Sequence, residues 1–285
     1  GVRALPTYYF DKADIIVSFG ADFLGNWGST NYATDYATGR NPKNKKMSKH
    51  YQIESTLTLT GSNADERIPI KPSEQAGLLS NLYNALNGET SDNRITKIVS
   101  SLKSSKSSIV VCNSNDKDVQ LLVNSINNIL GNYESTIDMS YPSYLRKGND
   151  DDVSNLVSDM NAEKIDALIT YNVNPSYSLV NADEFNAGLK NVGLKISTSL
   201  YMDETSSKMD YVFPDNHNLE SWGDANPSKG IYTLMQPTIA TLFQGRQFQE
   251  SMMTWLGKSD YHTYLQNFYS DIDWSQSLHD GYFTK

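Results

Sequence analysis

The sequence predicts an α/β fold with doubly wound, Rossmann-like parallel sheets in two lobes. Three observations predict it. Short apolar runs such as Ile15-Ile16-Val17 and Ile109-Val110-Val111 have the length and continuity of strands buried on both faces. Segments with helical apolar spacing lie between them. Beyond residue 108 strands and helices alternate regularly, which implies βαβ units and a parallel sheet covered on both faces.

A first strand over 13–20 ends in Gly20, the pattern of a parallel strand that delivers a loop at its carboxyl edge. The stretch 32–49 carries Lys43, Lys45, Lys46 and Lys49 and is expected as a solvated loop. The next strand spans 51–60. A helix over 73–86 places Ala76, Leu78, Leu79, Leu82 and Leu86 near helical spacing, starts at Pro72-Ser73 with Glu74 in its first turn, and ends at Asn87-Gly88. Residues 92–106 are Ser-rich and charged, the expected boundary between a first lobe, 1–90, and a second, 91–285. The first lobe is expected to be partial, its N-terminal part missing. There follow a strand over 108–112, a helix over 116–130, an exposed loop over 133–151, a helix over 152–162, a strand over 167–171, a helix over 183–191 and a strand over 194–198. One pattern occurs twice: Ile53-Glu54-Ser55-Thr56, Ser62-Asn63-Ala64-Asp65 and Pro69 are echoed by Ile196-Ser197-Thr198, Ser207-Lys208-Met209-Asp210 and Pro214. This reads as a duplicated βα half-unit, since each copy sits at the same place in the alternation.

The 285 residues carry 24 Lys and Arg against 33 Asp and Glu, a formal charge of −9, which repels phosphate backbones and argues against nucleic-acid partners. No apolar run approaches the roughly 20 residues that cross a bilayer, so membrane association is expected only through partners. With Cys112 the sole cysteine, no internal disulfide and no cysteine-held iron-sulfur cluster forms from this chain. Cys112 lies in an apolar strand and reads as a core residue. His50, His217, His262 and His279 show no paired ligand spacing, so no metal site is expected. Neither a Gly-x-Ser-x-Gly elbow nor a Walker loop is present. The opening Gly1-Val2-Arg3 has neither an initiator Met nor an apolar leader and reads as a scar of processing. The aromatic tail, Trp255, Tyr261, Tyr264, Phe268, Tyr269, Trp274, Tyr282 and Phe283, is either a docking surface or a layer packed over the sheet, with packing favoured for Trp255 and Phe268.

The stretch Glu54-Ser55-Thr56-Leu57-Thr58-Leu59-Thr60-Gly61-Ser62-Asn63-Ala64-Asp65, followed by Ile68-Pro69-Ile70-Lys71-Pro72, resembles the molybdopterin oxidoreductase family. So do Asn172-Val173-Asn174-Pro175, Asp203-Glu204-Thr205, Asp210-Tyr211-Val212-Phe213-Pro214 and Glu220-Ser221-Trp222-Gly223. The matches run in order along most of the chain. Within the family the resemblance is to the molybdopterin-type domain of the B subunits of bacterial alternative complex III, carried by 10–25, by 57–65 and by Tyr232-Thr233-Leu234-Met235-Gln236-Pro237 with Arg246-Gln247. It implies the fold of domains II and III of that family. It also implies a pterin-dinucleotide crevice at strand ends, lined by Asp22, Glu54, Asn172, Asn174, Glu220 and Gly223, vestigial and without catalytic residues. Carboxylates there accept from guanine or ribose, and Gly and Asn allow close backbone approach. Ser73-Glu74-Gln75 departs from the family's Gly-Thr-Asp, putting the Gln75 amide where a carboxylate is expected.

The function implied is a non-catalytic scaffold domain of an electron-transfer subunit in a membrane-bound, quinol-oxidising respiratory complex. It would lie on the periplasmic side of the inner membrane, with cytochrome c and quinol-binding subunits as partners and iron-sulfur clusters elsewhere in the parent protein. The alternative is a fragment of an active oxidoreductase that binds molybdopterin guanine dinucleotide, its metal and cluster ligands lying outside these residues.

Overall fold

The computed structural model describes residues 4–44, 46–258 and 260–285, so the reading of Gly1-Val2-Arg3 and of Lys45 lies outside the described residues. Contacts divide the chain into two compact units, Leu5–Ser143 and Tyr144–Lys285. The boundary expected at 90 falls inside the first of these.

The first unit runs β1 Leu5–Tyr8, β2 Ile15–Phe19, α1 Asn31–Gly39, β3 Lys49–Glu54, α2 Leu59–Ser62, β4 Glu66–Pro69, α3 Gln75–Leu86, α4 Thr96–Ser104, β5 Ser108–Cys112, α5 Lys117–Ile129 and β6 Ile137–Ser143. Four strands form a parallel sheet in the order β4-β3-β2-β5. The chain winds outward from β2 through β3 to β4 and then returns to the other side of β2, so the strand order reverses between β2 and β5. Alternation along the strands sends Val17, Phe19, Val110 and Cys112 into one core, under α3, α4 and α5, and Ile16, Ile109 and Val111 into the other. Both faces are covered, as the unbroken apolar runs require. A separate antiparallel ladder pairs β1 with β6.

Four expectations fail here, each for a physical reason. The polar stretch 92–106 holds α4, where Ile98, Val99 and Leu102, with Ile95 just before the helix, recur at helical spacing and are buried. The loop expected at 32–49 contains α1, which buries Tyr32 and Tyr36 one turn apart. The strand expected to reach Thr60 stops at Glu54, because Thr58 caps a helical turn by accepting from the Gly61 amide at 3.0 Å. The loop expected at 133–151 holds β6, a strand with an exposed middle and hence little apolar signal.

The second unit runs α6 Asp150–Asn161, β7 Ala167–Thr170, α7 Pro175–Ser178, α8 Ala182–Leu189, β8 Leu194–Ser197, β9 Tyr211–Val212, β10 Gly223–Ser228, β11 Ile231–Met235, α9 Phe248–Trp255, α10 Tyr261–Phe268, α11 Trp274–Asp280 and β12 Tyr282–Thr284. Strands β7, β8 and β9 are parallel, in that order, and Val157, Met160, Phe185, Leu189 and Val192 pack as their core. Strands β10, β11 and β12 form an antiparallel meander on which Tyr261, Leu265, Tyr269 and Phe283 are buried. The tail thus packs, but through residues other than those expected: Trp255 and Phe268 remain 43% and 60% exposed.

The repeat has a structural counterpart in each unit. Asp65 exchanges backbone and carboxylate hydrogen bonds with His50, and Asp210 does the same with Lys195. Both aspartates therefore lock the start of a parallel strand pair, Tyr51 opposite Glu66 and Ile196 opposite Tyr211. Tyr51, not Ile53, is accordingly the partner of Ile196, a slip of one strand period from the alignment read in the sequence.

Candidate functional site

In the first unit the carboxyl edge of the sheet brings Asp22 and Glu54 to the same turn. Glu54, the last residue of β3, is 2% exposed. Its Oε1 accepts from Arg67 Nε at 2.6 Å and from the Thr58 amide at 3.2 Å, while Oε2 accepts from Thr58 Oγ1 at 2.7 Å and Gln52 Nε2 at 3.1 Å. Burial pushes this carboxyl up, and the bonds from Arg67, Thr58 and Gln52 outweigh it, leaving the pKa below the ordinary value. Asp22 grips the other side of the turn, its Oδ1 accepting from the Thr60 amide at 3.0 Å and the Thr60 hydroxyl at 2.6 Å. Gly61 is required between them, since a Cβ there would stand 2.0 Å from Glu54 Oε1. We expect Gly61→Ala to destabilise this unit by about 3 kcal/mol, because the carboxylate is held on both oxygens and cannot retreat; urea unfolding of the variant measures it.

Behind Glu54, the inward face of β3 carries a polar ladder in which His50 and Gln52 are wholly buried. Gln52 gives its amide nitrogen to Glu54, so its Oε1 accepts from His50 Nε2 at 3.2 Å, which places the imidazole proton on Nε2. Nδ1 then faces the Tyr36 hydroxyl at 3.1 Å, and that hydroxyl also lies 2.9 Å from the Asn63 carbonyl. The family motif did not point to this ladder. Its signal is the alternation His50-x-Gln52-x-Glu54 in a strand.

At the reversal point between β2 and β5, Gly20 adopts φ +68°, and a Cβ there would meet the Asn113 amide at 2.7 Å. Gln75 Nε2 donates to Cys112 Sγ at 3.1 Å and to Asn113 Oδ1 at 3.0 Å. The Gln75 amide that departs from the family pattern therefore ties α3 to the end of β5. Burial pushes the Cys112 thiol above its usual range, in keeping with a core role.

In the second unit, Asn172 follows β7 with a left-handed backbone, φ 50°, and an exposed side chain. Asn174 joins the β7 loop to the loop after β8. Its Oδ1 accepts from Thr205 Oγ1 at 2.7 Å, and its Nδ2 donates to Glu204 at 2.7 Å. Glu220 lies beyond β9 and accepts from the backbone amides of His217 and Leu242, both at 2.9 Å, which hold its carboxyl below the usual range. Gly223 is buried and opens β10 opposite Met235, so it belongs to the antiparallel meander. Among the described residues no group of three His, Cys, Asp or Glu side chains is arranged to hold a metal ion.

These geometries test the fit to a pterin dinucleotide. Glu54 does not fit as a ligand group, since its carboxylate has four protein donors and almost no exposed surface. Asn174 and Glu220 likewise direct their polar atoms to the chain itself.

No family model matches the chain. In structure it is similar to acetylene hydratase from Pelobacter acetylenicus, with a TM-score of 0.73 at 12% identity over 99% of this chain and 53% of that one. That likeness establishes the fold, and the chain spans about half the length of that structure. In sequence it is similar to the menaquinone reductase molybdopterin-binding-like subunit of Nitratidesulfovibrio vulgaris, 29% identical over 96 residues, 32% of this chain and 14% of that protein. The sequence likeness bears out, over that stretch, the molybdopterin-type resemblance read from the motifs, and the structural likeness bears out the fold it implies.

Proposed function

We propose that this chain is a molybdopterin-oxidoreductase-like scaffold domain, without turnover of its own, in an electron-transfer subunit of a membrane-bound, quinol-oxidising respiratory complex. One observation carries the scaffold reading: Glu54, the strand-end carboxylate of the family motif, has both oxygens bound by Arg67, Thr58 and Gln52. A side chain so placed holds the sheet edge together and has no acceptor left for a guanine. Assembly into a quinone-linked complex is supported by the relative's description as a menaquinone reductase subunit. The motif resemblance to alternative complex III supports placement on the periplasmic side, with cytochrome c and quinol-binding subunits as neighbours and iron-sulfur clusters elsewhere in the parent. No helix among the described residues is long and apolar enough to cross a membrane, so in this reading partners supply the attachment.

Pterin and metal analysis of the purified protein tests the proposal. We expect pterin, read by fluorescence after oxidative release, and molybdenum both well below stoichiometric. Stoichiometric pterin with molybdenum would overturn the scaffold reading.

A further inference from the structure

We propose that one face of the β7-β8-β9 sheet in the second unit is a docking surface for a basic, amphipathic helix of a partner subunit. The inference rests on the reading of the chain as part of a larger assembly. In the parallel register Ala167 stands beside Leu194, and Ile169 beside Ile196 and Tyr211. Side chains alternate across a strand, so these five share one face of the sheet and Leu168 and Lys195 belong to the other. Leu168 packs against the core that Val157, Met160, Phe185 and Leu189 build from α6 and α8. The first face is apolar throughout, yet Ile169, Leu194 and Tyr211 remain 41%, 40% and 54% exposed.

A single helix reaches the carboxyl end of this face. Tyr211 and Phe213 stack with their rings 6.0 Å apart, and Trp255 at the end of α9 meets Phe213 edge-on at 5.9 Å. At the start of α9, Phe248 stacks at 4.5 Å on Tyr171, just beyond β7. α9 is thereby pinned at the carboxyl ends of the two outer strands, and the rest of the face stays open to solvent. Parallel sheets are stable when helices cover both faces, so the bare strip beside α9 is a seat for a second helix. Its few apolar side chains match the footprint of one helix and fall well short of the roughly 20–30 residues a side of a standard interface between two folded proteins.

The charge of the partner follows from that of the unit. Residues 144–285 carry 10 Lys and Arg against 19 Asp and Glu, a formal −9, whereas residues 1–143 carry 14 of each. The whole net charge of the chain thus lies in the unit that bears the bare face. A field of that sign draws in a basic surface and repels both a second copy of this chain and anionic lipid. Tyr211 and Trp255 supply aromatic anchors, and lysines or arginines on the outer side of the docked helix supply steering.

The test is a titration of the whole protein, read by fluorescence anisotropy, with a labelled helical peptide of about 18 residues that carries Leu along one face and Lys elsewhere. The same peptide with Glu in place of every Lys is the charge control. We expect the Lys peptide to bind, more weakly as salt is added, and the Glu peptide to bind at least about tenfold more weakly. Combining Ile169→Ser with Leu194→Ser, both at exposed positions, should weaken binding of the Lys peptide about tenfold, whereas Leu121→Ser, at an exposed position on α5 of the first unit, should change nothing. Cys112 is the sole native cysteine and is buried, so maleimide labelling of a Leu194→Cys variant gives a second readout, which saturating Lys peptide should slow about tenfold. Equal affinity for the two peptides, unchanged affinity in the double variant, or labelling indifferent to the peptide overturns the proposal. Concentration-dependent dimerisation that the double variant abolishes also overturns it, by assigning the face to a second copy. A protein that holds stoichiometric pterin with molybdenum and still binds the peptide at this face would overturn the scaffold reading alone and support the docking surface.

Discussion

Replacing Glu54 with Ala is expected to destabilise the first unit by about 3–5 kcal/mol, the range for removing one partner of a buried ion pair. Arg67 Nε at 2.6 Å would lose its carboxylate, and Gln52, buried with 0% exposure, would lose the acceptor that orients it toward His50. Thr58 would lose two bonds at the mouth of the turn. The loss should concentrate at β3 and β4, so peptide-resolved hydrogen exchange in rising urea should show these strands opening first. Glu54→Gln keeps the shape but turns an amide donor toward Arg67 or Thr58, and an intermediate loss follows. A Glu54→Ala protein as stable as the parent would remove the argument on which the scaffold reading stands, and the ligand role implied by the family motif would return.

The elements legible in the sequence were those whose burial is uniform. β2 and β5 are apolar on both faces and read directly as parallel strands. β3 is equally central, yet three of its five buried residues are polar, because His50, Gln52 and Glu54 satisfy one another in a chain that no hydropathy pattern registers. α1 is made of Asn, Tyr, Ala, Thr, Asp and Gly, weak helix formers apart from Ala, and is stabilised by tertiary contacts of Tyr32 and Tyr36 instead. In α4 the apolar stripe was present but diluted by Ser and Lys, so composition masked period.

The candidate site was legible in position and not in role. Asp22 and Glu54 do stand at the carboxyl edge of their sheet, and Asn172 and Asn174 at the end of β7. What the sequence hid is the set of donors that each residue meets. Arg67 is 13 residues from Glu54 and Thr60 is 38 from Asp22. A resemblance transfers the identity of a residue, whereas its remaining hydrogen-bonding capacity depends on neighbours brought in by the fold.

The ladder behind Glu54 makes the first unit sensitive to mild acid. Burial, opposed by the hydrogen bond to Gln52 and reinforced by the Arg40 charge, lowers the His50 pKa from 6.5 to about 4. Asp65 and Glu54 also favour the protonated ring, but not enough to offset burial. In the unfolded chain the ring takes up its proton near pH 6.5, whereas in the folded protein it stays neutral until about pH 4. The unfolded state therefore binds more protons throughout that window, and stability falls as pH falls. The expected loss is about 2 kcal/mol by pH 5 and about 3 kcal/mol by pH 4, with little change above pH 7. Below about pH 4.5 the carboxyls of Glu54 and Asp65, both held below their ordinary values, add to the decline. Hydrogen exchange of the β3 amides in urea, corrected for intrinsic rates, should give a slope of about 1.2 kcal/mol per pH unit between pH 6 and pH 5. His50→Gln, whatever its absolute stability, should flatten that segment. A parent protein already flat between pH 6.5 and 5, or a variant with an unchanged slope, would show that His50 is not the group responsible.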